Sequence, residues 1–142
     1  MIVDIDGTLS VVGPRQRFIE GETKDREAFY ADDFDDLPIP NTCHMVQWMS
    51  RFYEVIFCTS RRECAREKTQ RWLRRNLGLL PVQYRLIMRP NDDDRQDAVS
   101  KHHCFMRETT EEERSRVAFV LENSHCEAAM WRMHGYICFQ CK

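Results

Sequence analysis

The chain has 142 residues, 31% of them charged, and a formal net charge of −2. A balance this close to neutral excludes a global electrostatic draw toward nucleic acid or an anionic membrane surface. No apolar run reaches the length of a bilayer span and the N-terminus does not read as a signal peptide, so one cytoplasmic domain over residues 1–142 is the expectation.

Residues 1–10, MIVDIDGTLS, read as a short apolar strand running into two aspartates one residue apart. Gly7 lets the backbone turn without a Cβ penalty, and Thr8 and Ser10 offer hydroxyls to the loop that follows. A carboxylate at a strand's C-terminal end sits where open α/β sheets bind ligands.

Residues 11–38 carry no sustained periodicity and include Gly13-Pro14, Gly21 and an acidic run from Asp32 to Asp36. They read as a loop or flap over the site, with room for a short strand pair or a helical turn. The segment is too short for a separate cap, and an uncapped site admits a large substrate such as a polymer end. Pro40-Asn41-Thr42 opens a helix with apolar residues at Cys43, Val46, Trp48 or Met49, and Phe52. Residues 53–59 read as a buried strand ending in Thr59-Ser60-Arg61-Arg62. A helix over about 63–76 follows, with Gly78 as its stop and Ala65, Thr69, Trp72, Leu73 and Leu77 as its buried stripe.

Residues 84–89 form the next expected strand, between Pro81 and Pro90. An acidic turn at 91–94 caps a helix over roughly 94–106. Residues 109–116 are polar and suit a loop or helical turn. Residues 117–121 are the most hydrophobic strand, ending in Glu122-Asn123-Ser124, where Asn123 or Ser124 caps a helix through Met133. Gly135 ends that helix, and residues 136–139 make the last strand. Strands alternating with helices predict an α/β fold with a five-stranded, mainly parallel sheet.

Seven cysteines are many, but an odd number, with Cys58 inside a hydrophobic strand, argues for reduced thiols rather than a disulfide framework. Cys138-x-x-Cys141 has the look of half a zinc site, and His102, His103, Cys104, His125 and Cys126 make no trusted closed pattern with it. The three tryptophans, Trp48, Trp72 and Trp131, read as core residues. The basic run from Arg61 to Arg75 suits either a solvated helix face or contacts to a nucleic-acid backbone.

The pentapeptide Asp4-Ile-Asp6-Gly7-Thr8 resembles the first motif of the haloacid dehalogenase (HAD) phosphatases. That resemblance implies a Rossmann-like three-layer sandwich without a large cap. It also implies that Asp4 is the nucleophile and Asp6 the general acid/base. The chemistry is coherent: a carboxylate can attack phosphorus, and a second carboxyl can protonate the leaving oxygen. Two anions working on an anionic ester need a cation, and Mg2+ is the expected one. Thr59 then matches the family's hydroxyl that holds the phosphoryl group, and Lys101 its charge-cancelling lysine. Glu122 and Asn123 fall where the metal shell is completed, together with Asp4 and Asp6.

Over nearly the whole chain, the sequence is similar to the 3'-phosphatase domain of phage-type polynucleotide kinase. Arg15, nine residues after Asp6, matches its first substrate arginine. Thr59-Ser60-Arg61 matches its Ser-Gly-Arg turn, and Asp97-x-x-x-Lys101 its Asp-x-x-x-Lys helix, with Asp97 expected to orient Lys101. Thr8, Arg15, Ser60, Arg61 and Asp97 are thus the expected substrate-side residues. The sequence departs from the pattern where Glu122 and Asn123 replace paired aspartates, which opens the site to Mn2+, and where Ser60 replaces glycine. The resemblance implies a phosphatase for 3'-phosphate ends of DNA or RNA. A phosphatase of free nucleotides or small esters, and a weakened nucleic-acid-end or nucleotide binder, are the alternatives.

Overall fold

Successive residues of a strand face opposite ways, and here each face meets its own core. The computed structural model describes residues 1–18, 25–31 and 36–141. The central strand β1 (Ile2–Val3) is flanked in parallel by β4 (Val55–Arg62) and β6 (Val120–Glu122). Beyond them lie β5 (Tyr84–Arg89) and β7 (Cys138–Gln140), giving the order β5-β4-β1-β6-β7 with every pairing parallel. Val3, Phe57 and Leu121 pack on one face with Val46 of α2 (Pro40–Met49) and with Trp72 and Leu73 of α3 (Arg66–Leu77). Ile2, Cys58 and Val120 pack on the other with Phe105 of α4 (Asp97–Glu108) and Trp131 of α6 (His125–Met133). Helices cover both faces, which is the expected three-layer α/β arrangement.

The chain leaves β1 toward β4 and β5, then returns across the sheet to β6 and β7. The order therefore reverses beside β1, and the residues after its C-terminal end sit at the switch point where such sheets bind ligands.

The described part of the segment expected to be a flap holds short pieces. β2 (Ser10–Val11) pairs antiparallel with β3 (Leu37–Pro38), and between them lie a 3-10 turn (Pro14–Phe18) and α1 (Arg26–Ala31). Gly21 and most of the acidic run, residues 32–35, lie outside the described residues. Trp72 Nε1 donates to the Asp36 carbonyl at 2.8 Å, and Thr42 Oγ1 to the Thr8 carbonyl at 2.5 Å. These bonds fasten the segment to α3 and α2.

Several boundaries differ from the sequence reading. The strand expected over 53–59 continues through Arg62, with an irregularity in its pairing after Cys58. The following helix starts later, at Arg66, behind a 3-10 turn over Glu63–Ala65. Gly78 does end it, in the left-handed region at φ 66°. The polar stretch after α4 contains α5 (Glu111–Ser115), opened by a reciprocal Thr110–Glu113 capping box. Trp48 is a correction: it is 65% exposed and tilts against Phe52, whereas Trp72 and Trp131 are buried as expected.

All seven cysteines are free thiols. Cys138 packs in the core beneath α4 and α6, and Cys141 packs against the opposite core, so this pair does not form half of a metal site.

Candidate active site

Asp4 leaves β1 with its backbone N–H donating to the Leu121 carbonyl at 2.9 Å, so the parallel ladder fixes where its side chain projects. The side chain is nearly buried. Its Oδ1 accepts from Lys101 Nζ at 2.9 Å, and its Oδ2 accepts from Thr8 Oγ1 at 2.9 Å. The chain folds back at once: Gly7 N–H donates to the Ser10 carbonyl at 2.7 Å. Gly7 has φ +85°, and a Cβ there would stand 2.0 Å from Nδ2 of Asn123. Glycine is thus required twice over, by the backbone angle and by the amide pressed against it.

Asp6 is the more open carboxylate, with a side chain 27% exposed. Arg61 grips it with a fork, Nε to Oδ2 at 2.7 Å and Nη2 to Oδ1 at 2.6 Å. Arg15 Nη2 reaches the same carboxylate at 3.3 Å, and Ser10 Oγ donates to it at 3.2 Å. Asp36 completes this cluster, accepting from Arg15 at 2.5 Å and from Arg61 at 3.0 Å. The Arg15 guanidinium also lies over the Phe29 ring, 4.2 Å from its centre. Burial alone would push the Asp6 carboxyl up, but Arg61 and then Arg15 outweigh it and hold the group below its usual range.

Lys101, on the inner face of α4, is wholly buried among carboxylates. Besides Asp4 it meets Glu122 Oε2 at 2.8 Å and Glu127 Oε1 at 2.8 Å. Burial disfavours its charge, yet Asp4, Glu122 and Glu127 more than compensate, and the ammonium stays protonated well past its ordinary range. The acids share the strain. Burial pushes Asp4 up against the pull of Lys101, and burial with the nearby Asp4 pushes Glu122 up to about 7. Glu127 goes the other way, because Lys101 outweighs its burial.

The expected residues therefore divide into those that converge and those that do not. Asp4, Thr8, Lys101 and Asn123 meet, with Thr8 Oγ1 also 3.4 Å from Asn123 Oδ1. Asp6, Arg15 and Arg61 meet beside them. Thr59 is buried on β4, its Oγ1 accepting from the Arg61 N–H at 3.2 Å, and Ser60 Oγ donates to Glu127 Oε1 at 3.3 Å. One expectation needs correction. Asp97 does not orient Lys101; its carboxylate pairs with Arg89 at 3.0 Å and is 64% exposed. Glu122, expected at the metal shell, has partners on both carboxylate oxygens. One oxygen serves Lys101, and the other accepts from the N–H groups of Asn123 and Ser124 at 3.1 and 3.2 Å.

Glu127 and Asp36 were missed. Glu127 stands three residues after Ser124, whose hydroxyl caps α6, and that spacing reads as a helix start rather than a site. Asp36 closes an acidic run whose pattern suggests only a solvated loop.

Among the described residues, no group of three or more His, Cys, Asp or Glu side chains is arranged to hold a metal ion. A sequence profile of the polynucleotide kinase PNKP phosphatase domain matches residues 1–142. The fold superposes with a TM-score of 0.77 and 28% identity on a chain of the Pnkp1/Rnl/Hen1 RNA repair complex, covering 99% of this chain and 41% of that one. A chain from another structure of a Pnkp1/Rnl/Hen1 complex gives 0.75 and 30%, with 99% and 44% covered. The present chain thus spans less than half the length of either. No curated protein matches it significantly. The profile runs from the first residue to the last across the same loop, lysine and arginines that converge in space, and the chain belongs to the polynucleotide kinase PNKP phosphatase domain family.

Proposed function

We propose that this chain is a Mg2+-dependent phosphomonoesterase that removes the 3'-phosphate from nucleic-acid ends. The observation that carries the proposal is Asp4 held between Lys101 and Thr8 at the sheet's switch point, with the arginine-gripped Asp6 two residues on. The RNA repair complexes to which the solved relatives belong favour RNA ends over DNA.

In this reading an Asp4 oxygen forms a bond to phosphorus while the bond from phosphorus to the 3' oxygen breaks. Asp6 gives its proton to that departing oxygen. Asp6 then takes a proton from water, whose oxygen attacks phosphorus and frees Asp4 and inorganic phosphate. Lys101 and Thr59 hold the phosphoryl oxygens, and Arg15 and Arg61 turn toward the incoming anion. A phosphate that draws those guanidiniums away from Asp6 also lets Asp6 regain the proton it must donate.

The side chains present fit a hard divalent cation. Asp4 Oδ2 and Asn123 Oδ1 both approach Thr8 Oγ1, at 2.9 and 3.4 Å, which gathers the kind of oxygen donors such a cation takes. Asp4, the Asp6 backbone carbonyl and Asn123 are the groups that would hold Mg2+. Bound there, it would offset the charge of Asp4 and of the phosphate it attacks. Asn123 is a neutral donor, so Mn2+ is a plausible substitute.

Asp4→Asn should abolish phosphate release from a 3'-phosphorylated oligonucleotide in a variant with an unchanged melting profile. Full turnover by that variant would falsify the mechanism. Comparing 3'-phosphate, 5'-phosphate and 2',3'-cyclic ends with a mononucleotide separates end processing from nucleotide hydrolysis. Asn123 supports a second reading, a weakened enzyme that binds ends. Binding without hydrolysis in Mg2+, Mn2+ and Co2+ would establish it.

A further inference from the structure

We infer that Glu127 is an internal stand-in for the phosphoryl group, holding its binding donors until a phosphate dianion displaces it. The inference rests on the role proposed above for Lys101.

An ammonium carries three protons, and Lys101 already faces three carboxylates, at 2.9 Å from Asp4 and 2.8 Å from each of Glu122 and Glu127. It cannot also donate to a phosphoryl oxygen without giving one of them up. Asp4 has to stay, because it is the attacking group. Glu122 is fully buried, and two backbone amides fasten its other oxygen. Glu127 is the exchangeable partner. Its side chain is the most exposed of the three, at 10% against 6% and 0%, and it stands on the first turn of α6 at the rim of the site.

The geometry at Glu127 supports substitution by substrate. Its Oε1 atom alone meets both Lys101 Nζ, at 2.8 Å, and Ser60 Oγ, at 3.3 Å. One anionic oxygen between an ammonium and a hydroxyl is the arrangement a phosphoryl oxygen would make. A dianion brings more charge to Lys101 than a carboxylate does, so the exchange favours substrate where a bound cation would offset the charge of the Asp4 carboxylate. Glu127 thus keeps Lys101 aimed and the buried cluster balanced, and it sets a threshold that weak anions do not cross.

Glu127→Gln keeps the side chain's shape and removes its charge. Inorganic phosphate, titrated calorimetrically in the presence of Mg2+, should bind this variant roughly fivefold more tightly, on the order of 1 kcal/mol. KM for a 3'-phosphorylated oligonucleotide should fall by a similar factor, and kcat should fall as product phosphate leaves more slowly. Equal or weaker phosphate binding by the variant overturns the inference and makes Glu127 a permanent brace for Lys101. If the variant melts early, the wild-type chain decides the matter. The 13C resonance of the Glu127 carboxyl should shift and saturate as phosphate is added, and an unmoved resonance overturns the inference equally. Tighter phosphate binding in the variant, with no turnover of any 3'-phosphorylated end by wild type, would remove the proposed activity and leave this inference standing. Normal turnover with unchanged phosphate binding would do the reverse.

Discussion

At the scale of single residues, the loop after β1 is controlled by contacts too short to tolerate change. Gly7→Ala places a methyl group against Asn123 Nδ2 at a positive φ. The expected cost is about 2–4 kcal/mol, from the left-handed backbone together with overpacking. Denaturant unfolding would measure it. Adding Asn123→Ala should recover the packing part and leave the backbone part. The family resemblance singled out Asp4, Asp6, Arg15, Arg61 and Lys101, and the fold brings them into two adjoining clusters. Asp97 was misread for a physical reason: four residues before Lys101 is the right helical spacing for contact. It could not reveal that Arg89 stands closer to Asp97, or that Lys101 turns inward toward acids from two other segments. Glu127 and Asp36 reach the site only through tertiary folding, and no local pattern marks them.

At the scale of elements, the aim of Lys101 depends on how α4 is seated. Asp93, in the turn before α4, accepts from the Arg95 N–H at 3.0 Å and from the Arg95 guanidinium at 2.9 and 2.7 Å. Ser100 Oγ, one residue before Lys101, donates to Asp93 at 2.6 Å and accepts from Arg89 Nε at 3.1 Å. The bonds from Arg95, helped by Ser100, hold the Asp93 carboxyl far below its ordinary 3.8. A carboxyl with a lowered folded-state pKa contributes stability above its unfolded value, and that stability fades as pH falls toward the folded value. Asp93→Asn should therefore cost about 1 kcal/mol at neutral pH, allowing for solvent around Arg95. The difference from wild type should shrink as pH drops below about 4, a trend that unfolding curves across that range would reveal. Kinetics should show kcat falling with the misaligned lysine. Strand and helix types were readable from periodicity, whereas the extension of β4 through Arg62 was not. The polar tail of that strand reads as a turn, and it is its pairing with β5 that keeps it extended.

At the scale of the whole molecule, the clustered carboxylates and one partly apolar cavity occupy opposite ends of the sheet. A cavity of about 560 Å3 is lined by Met1, Tyr53, Val55, Tyr84 and Val117, where strands begin, while the carboxylates cluster where strands finish. Phe52 and Val82 border it and are largely exposed. Trp48 shares this exposure, at 65%, while Trp72 and Trp131 are sealed at 1% and 0%. Acrylamide should therefore quench one readily accessible component of the tryptophan fluorescence, and Trp48→Phe should remove it. Persistent easy quenching in that variant would contradict the packing of α3 and α6. Among the described residues no helix is long and apolar enough to cross a membrane.

The two-residue β1 is the shortest of rods on which to mount Asp4, yet it lies in the middle of the sheet. Ile2 N–H donates to Phe119, Asp4 N–H to Leu121, and the Met1 carbonyl accepts from Ile56 N–H. Fraying starts at margins, so loosening of β5 or β7 leaves these bonds intact. In deuterium exchange the Asp4 amide should be among the last to relinquish its proton, opening only when the molecule opens globally. Whatever Asp4 acts on would then have to be brought to it, since the bonds on either side of β1 give its backbone no slack.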